Sequence, residues 1–406
     1  MSSGNSATTA PTSQSASATP ALPAALVVFL AFCCGAVVAN LYYAQPIVEM
    51  IAPSIGLSTT HASLIVSLTQ FGYALGLLFL VPLADLLENR RLLVTFTLAA
   101  AVCLAAAALS QTPSLFLLCS LLIGLTSVAV QILVPLAAHM APEESRGRVV
   151  GNIMSGLLLG ILLSRPLAST LAQAFGWRGV FFSAAGLMVV MALVMGWLLP
   201  RRVPAHRVSY PALIGSVFTL ARRYGVLRER SLYQGLLFAS FSSFWTIAPI
   251  ELIRQHGFSQ NGIALFALVG AVGAVAAPIA GRLADAGHGL RGTASALLLA
   301  PLALLAGALP GAGWWWMVVT AVLLDFAVQL NMVLGQREVY ALDPHSRARL
   351  NAVYMTSIFV GGALGSLIAS PLYETLGWTA FVVLSAILPG LALLKFMLRA
   401  GGAARH

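Results

Sequence analysis

The sequence predicts an all-α membrane protein of twelve transmembrane helices in two homologous six-helix halves. Three observations carry that prediction. Of 406 residues, 59% are hydrophobic and only 8% are charged, against roughly 25% charged in an ordinary soluble chain. Apolar runs of the length a bilayer requires, about 20 residues, follow one another along the chain. The chain also repeats itself 201 positions on: Ser145–Ser155 reads SRGRVVGNIMS and Ser346–Thr356 reads SRARLNAVYMT. Each copy leads into a glycine-rich apolar stretch that ends in Gly-Trp, at Gly176-Trp177 and at Gly377-Trp378. A further echo is PLAD ending at Asp85 and RLAD ending at Asp285. Parallel repeats of this kind are how many two-halved membrane bundles are built.

Residues 1–21 are mostly Ser, Thr, Ala and Pro without charge, which predicts a disordered cytoplasmic tail. The tail lacks the basic start of a signal peptide, and the apolar run after it is too long for a cleavable one. The N-terminal half, 22–200, holds spans at 22–45, 61–84, 91–110, 114–138, 148–173 and 178–200. A basic cytoplasmic linker, 201–230, carries seven arginines and a surface helix near 211–224. The C-terminal half, 231–399, holds spans at 231–254, 260–284, 291–310, 314–336, 350–373 and 378–399, and 400–406 forms a cytoplasmic tail.

Charge sets the orientation. Of the 22 basic residues, 19 fall in the linker, in the C-terminal segment or at the ends of even-numbered spans. Only Arg178 and Arg254 fall on the other side. The positive-inside rule then places both termini in the cytoplasm. The net charge of +10 is therefore a topology signal, and no nucleic-acid partner is expected. Cys33, Cys34, Cys103 and Cys119 all lie in apolar runs, so neither a disulfide framework nor a zinc site is expected.

Twelve spans, two halves, a basic linker and the paired LAD loops together resemble the major facilitator superfamily over about residues 22–400. In VPLADLLENRR, Leu83, Ala84, Asp85 and Arg90 fit the family's loop after span 2, while Val81 replaces its glycine. GRLADAGHG keeps Gly281, Leu283 and Asp285 in the second copy. The resemblance implies alternating access, a cavity lined by spans 1, 4, 7 and 10, and a cytoplasmic gate formed by Asp85, Arg90, Arg91, Asp285 and Arg282. The span 5 motif of drug/proton antiporters is only partly kept: Arg165 precedes Pro166, and Ser169-Thr170 close the motif. NLYYAQP, GLLLGILLSRPL and LLDFAVQL are similar to stretches of sugar-efflux-like and drug-efflux-like members. The implied activity is export of a small organic solute in exchange for protons across a bacterial inner membrane. An importer or uniporter on the same fold is the alternative. The sequence offers no catalytic cluster, metal-ligand set or phosphate-binding loop, so no enzyme activity, cofactor, metal or ATP drive is expected. The expected partners are a small-molecule substrate, protons and the lipid bilayer, and the chain is expected to work as a monomer.

Two ionisable residues sit well inside predicted spans, Arg165 and Asp325. A charge at the bilayer centre costs about 2.5–3.5 kcal/mol on insertion scales, so it usually faces a cavity or a partner. Their repeat counterparts, Ser366 and Gly124, are uncharged, so the fold does not require either charge. Arg165 is 11 residues before Gly176, and Asp325 is 11 after Trp314. At 1.5 Å per residue both lie roughly 16 Å below the same surface. A charge pair bridging the two halves in one state and parting in another, either direct or through water or substrate, is expected, with Asp325 able to exchange a proton and Arg165 not. Candidate solute contacts on the cavity-lining spans are Asn40, Tyr43, Gln131, Ser243, Trp245 and Gln329. Glycines four apart, such as Gly156 and Gly160 or Gly361 and Gly365, are expected to let helices pack closely.

Overall fold

The computed structural model describes residues 22–204, 209–309 and 313–403. The predicted tail at 1–21 lies outside the described residues, as do Arg207 and Arg405. Among the described residues, fourteen α-helices and several short 3-10 and π turns make up the regular structure. The first seven are α1 (Ala24–Ala39), α2 (Val48–Ser54), α3 (Leu64–Leu75), α4 (Asn89–Leu109), α5 (Pro113–Thr126), α6 (Ala129–Met140) and α7 (Arg146–Leu198). Then follow α8 (Tyr210–Arg223), α9 (Gly225–His256), α10 (Gln260–Val269), α11 (Ala276–Asp285), α12 (Gly289–Ala306), α13 (Trp315–Ala341) and α14 (Arg347–Ala403). Among the described residues, eight helical stretches are long and apolar enough to cross a membrane.

Two of those stretches are double. Within α7, Gly176 adopts φ 71° and ψ 169°; within α14, Gly377 adopts φ 75° and ψ 178°. The residues are the two repeat copies of one glycine, and a side chain would be strained in that left-handed region. Each double helix is thus two helices joined at a single residue, where the sequence predicted a short loop.

Other helices are broken where their sequence cannot continue them. Pro46 has no N–H for the Tyr42 carbonyl, and the chain passes from α1 through turns at 40–44 into a 3-10 turn at Gln45–Ile47 before α2. The first predicted span therefore continues beyond residue 45, to Ser54. A 3-10 turn at Gly270–Val275 separates α10 from α11. After α3 the helix widens to a π turn at Gly76–Leu80 and tightens to a 3-10 turn at Val81–Asp85. Such interruptions inside a helix often mark hinges or functional sites.

Small residues set the tightest crossings. A methyl at Gly35 would strike the Gly156 carbonyl, and one at Gly160 would strike Gly35. In the second copy, methyls at Gly361 and Gly365 would strike the backbone of Gly235 and Ala239. The contact of Gly160 with Gly35 is thus built again as that of Gly361 with Gly235, 201 residues on along one helix and 200 along the other.

The N-terminal helices meet the C-terminal ones at the arginine-poor end. The Ser63 and Ser370 hydroxyls accept from each other's backbone N–H at 3.1 and 3.2 Å. Arg254 donates to Glu49 at 2.6 Å and to Glu374 at 2.7 Å, bridging the two sets. Contact falls away toward the opposite end: α10 packs along α7 whereas α11 leaves it, and α3 packs along α14 whereas Val81–Asp85 leaves it.

The segment after α7 is moored to the loop after α3. Asn89 N–H donates to the Arg202 carbonyl at 3.0 Å, and Arg90 donates to the Leu199 carbonyl at 3.2 Å. Tyr210, at the start of the amphipathic α8, donates its hydroxyl to the Phe79 carbonyl at 2.8 Å. Pro82 leaves this turn short of a backbone donor, and the tyrosine supplies one. The linker ends earlier than the sequence predicted. Helix α9 begins at Gly225, and Arg230 is buried inside it because Glu338 and the Thr293 hydroxyl take its guanidinium.

Candidate functional site

The two solitary charges converge on one aromatic side chain. Arg165 projects from α7, which the glycine contacts at Gly156 and Gly160 press against α1. Its guanidinium lies 4.5 Å from the Trp245 ring, 5.1 Å from Tyr42 and 5.6 Å from Phe241. Its Nε donates to Gln45 Oε1 at 2.9 Å. On α9, Trp245 donates its indole N–H to Asp325 Oδ1 at 2.8 Å. Among the described residues, Arg165 and Asp325 form no direct ion pair. The expected bridge is instead arginine, indole face, indole edge and carboxylate in series.

Burial makes this arrangement costly to break. Arg165 is 5% exposed and Asp325 is 9% exposed. A cation over an aromatic face gains about 0.5–1 kcal/mol in water and about 2 or more when desolvated. Three rings and one amide replace part of the hydration that the guanidinium loses. Space for the carboxylate comes from the broken helix α10–α11. A methyl at Gly270 would lie 2.6 Å from Asp325 Oδ2 and 3.0 Å from the Trp245 ring, and one at Gly273 would lie 2.5 Å from Asp325 Cβ. Tyr42 and Gln45 belong to the interrupted 40–47 stretch, so two of the elements that form the site are discontinuous. Interrupted membrane helices are where backbone and side chains most readily turn toward a solute.

The other predicted contacts are dispersed. Asn40 donates to the Met188 sulfur at 3.5 Å, and Tyr43 is buried. Gln131 donates to the Tyr73 hydroxyl at 3.1 Å. Ser243 bonds its own helix at the Ala239 carbonyl, at 2.7 Å. Gln329, one turn beyond Asp325 on α13, is half-buried. Gln45, one of the polar residues of the first span, and Phe241 belong with Arg165, and neither is among the predicted solute contacts. Proximity of Pro46 to a polar residue was the available signal for Gln45; no pattern in the sequence pointed to Phe241.

The predicted gate residues are engaged locally. Arg90 holds the end of α7, Arg91 pairs with Glu88 at 2.9 Å, and Asp285 pairs with Arg337 at 2.7 Å. Asp85 and Arg282 are exposed. The clearest ionic link between the N-terminal and C-terminal helices is at the opposite end, through Arg254, which the sequence reading used only as a topology marker.

Broken and continuous apolar helices around buried charges make up a multi-span helical membrane protein. The sequence profile of the Major Facilitator Superfamily matches residues 27–312 and 231–404, and the chain belongs to that family. It is 43% identical over 366 residues to the "Uncharacterized transporter YgaY" of Escherichia coli O157:H7, covering 90% of this chain and 93% of the relative. It is 34% identical over 352 residues to the "Probable transporter SCO4007" of Streptomyces coelicolor, covering 86% and 81%. Among solved structures, a POT family transporter in complex with 5-aminolevulinic acid superposes with a TM-score of 0.72 at 15% identity, covering 92% of this chain and 95% of that one. An inward-facing bacterial homologue of the lysosomal transporter Spinster gives 0.71 at 16% identity, with the same coverage. At such identities the likeness is one of fold.

Proposed function

We propose that this protein is a proton-coupled secondary transporter of a small organic solute, working by alternating access. Its twelve spans form two six-helix halves, with both termini on the cytoplasmic side of a bacterial inner membrane. The single observation that carries the coupling is the series Arg165, Trp245 and Asp325, which links the two halves through one indole. Protonation of Asp325 removes the carboxylate charge that holds the indole N–H, and so frees the ring that covers Arg165. The divergence of the helices toward the arginine-rich end supports a form open to the cytoplasm, closed outside by Arg254, Glu49 and Glu374. Asp85, Arg90, Arg91, Arg282 and Asp285 form the cytoplasmic gate of the opposite form. Asn40, Tyr43, Gln131, Ser243 and Gln329 serve as contacts farther from the charged centre.

Export is the direction that resemblance to the efflux branch supports. Uptake is the second reading, and one observation favours it. Arg165 keeps a buried nitrogen without an acceptor, which suits an anion, and an anion beside Asp325 attracts a proton rather than displacing it. Reconstituted protein in vesicles with an imposed pH gradient tests both. Solute movement that ignores the gradient in either polarity sinks the coupling. Movement with the proton gives uptake, and movement against it gives export.

A further inference from the structure

We propose that the solute carries a carboxylate, recognised by Arg165 Nη2 together with Gln45 Nε2. This rests on the reading of the site as the solute-binding centre of a transporter. Arg165 spends its Nε on Gln45 Oε1 at 2.9 Å. Its Nη2 is buried and has no acceptor. Gln45 is 1% exposed, and its Nε2 is likewise buried without an acceptor. The amide orientation is fixed by chemistry, because an arginine only donates and must therefore face the glutamine oxygen. Two planar groups joined by that bond thus each keep a spare donor, and one of them is cationic.

The two oxygens of a carboxylate complement such a pair, since charge-assisted bonds to a guanidinium are the strongest an organic acid makes. A cationic solute meets repulsion from Arg165. A neutral amide offers one acceptor and no charge. A small inorganic anion gives up its hydration to Tyr42, Phe241 and Trp245, rings that return little to it. An acid with an aromatic or aliphatic body places that body against the same rings. Asp325 does not compete for the donors, because it lies at the far edge of Trp245 and takes the indole N–H there.

The test uses full-length protein purified in detergent. Benzoate, phenylacetate and hexanoate are compared with benzamide, phenylacetamide and hexylamine by thermal shift, at equal ionic strength. The acids are expected to raise the melting temperature and the amides and amine are not. Gln45→Glu keeps the acceptor for Arg165 Nε but replaces the spare donor with an acceptor and adds negative charge. It is expected to weaken acid binding at least about tenfold. Arg165→Lys, which keeps the charge and loses the fork, is the second variant and is expected to weaken it as well. The inference is overturned if no acid shifts the wild type, if amides or the amine shift it equally, or if Gln45→Glu binds acids as the wild type does. Counterflow of the same compounds in proteoliposomes separates this from the transport reading. Exchange of the amine or the amides without the acids leaves a transporter that does not select carboxylates. Acids that bind and do not exchange leave an acid site in a protein that does not transport them.

Discussion

Gly124 and Asp325 occupy the same position of the 201-residue repeat; Gly124 lies against α3 and Asp325 against the break between α10 and α11. A methyl on Gly124 would strike the Thr69 carbonyl. At the second crossing the counterpart of Thr69 is Gly270, and the carboxylate of Asp325 uses the room this gives. Asp325 is therefore a charge added to a glycine crossing, with a glycine opposite to accommodate it.

That relationship predicts a graded response to added methyls. Gly270→Ala places carbon against both Asp325 Oδ2 and the Trp245 ring, and should disable transport. Overpacking of this kind costs about 1–3 kcal/mol, which leaves the protein folded. Gly124→Ala at the equivalent crossing should cost as much stability, because backbone lies opposite it, without touching the charged residues. Equal transport by Gly270→Ala and wild type at equal abundance would show that the carboxylate does not need its position.

Asp325→Asn should abolish accumulation driven by a proton gradient while solute exchange survives, because a neutral amide neither takes up nor releases a proton. Trp245→Phe keeps a ring for Arg165 but loses the N–H to Asp325, and should uncouple without emptying the membrane of protein. If the series is only structural, removing one charge should cost about 3–5 kcal/mol. The single variants Arg165→Ala and Asp325→Ala would then vanish from the membrane, and the double variant would reappear. Immunoblots alongside flux measurements separate the two outcomes.

Asp85→Asn should slow transport at unchanged abundance, since the residue lies where the 3-10 turn after α3 ends. Tyr210→Phe removes the hydroxyl that caps the Phe79 carbonyl and should slow transport in the same direction. Wild-type rates in both variants would remove this loop from the gating cycle.

Arg254→Gln should loosen the arginine-poor end. The ion pairs are partly exposed, so the loss of stability should stay within about 1 kcal/mol. The conformational effect should be larger. Labelling of a cysteine placed at the buried Ser370, with Cys33, Cys34, Cys103 and Cys119 replaced, should speed up several-fold. An unchanged labelling rate would mean that the serine bonds alone keep this end shut.

The helical class and the apolar spans were legible in the sequence, because composition and an internal repeat report them directly, whereas the joints at Gly176 and Gly377 were read as short loops. Arg165 and Asp325 were legible for the same reason: an unmatched charge stands out against an apolar background. Their connection was not legible. It runs through Trp245, which reads as a cavity-lining aromatic until its two neighbours are seen in space. The breaks at 40–47 and 270–275 were missed because hydropathy ignores hydrogen-bond geometry, and Pro46 alone does not say how far a helix unwinds. Arg230 was placed in the linker because charge was counted without its partner Glu338, which lies 108 residues away.

The single-residue joints at Gly176 and Gly377 have a mechanical corollary. A flexible loop lets the helices it connects drift independently, whereas one residue offers two torsions. A shift of the helix that carries Arg165 must therefore draw the near end of the helix after Gly176 with it, like the two arms of a folded ruler. The second copy gears its own pair alike. Most of the freedom to move is then left between these joined pairs and their neighbours rather than within each pair.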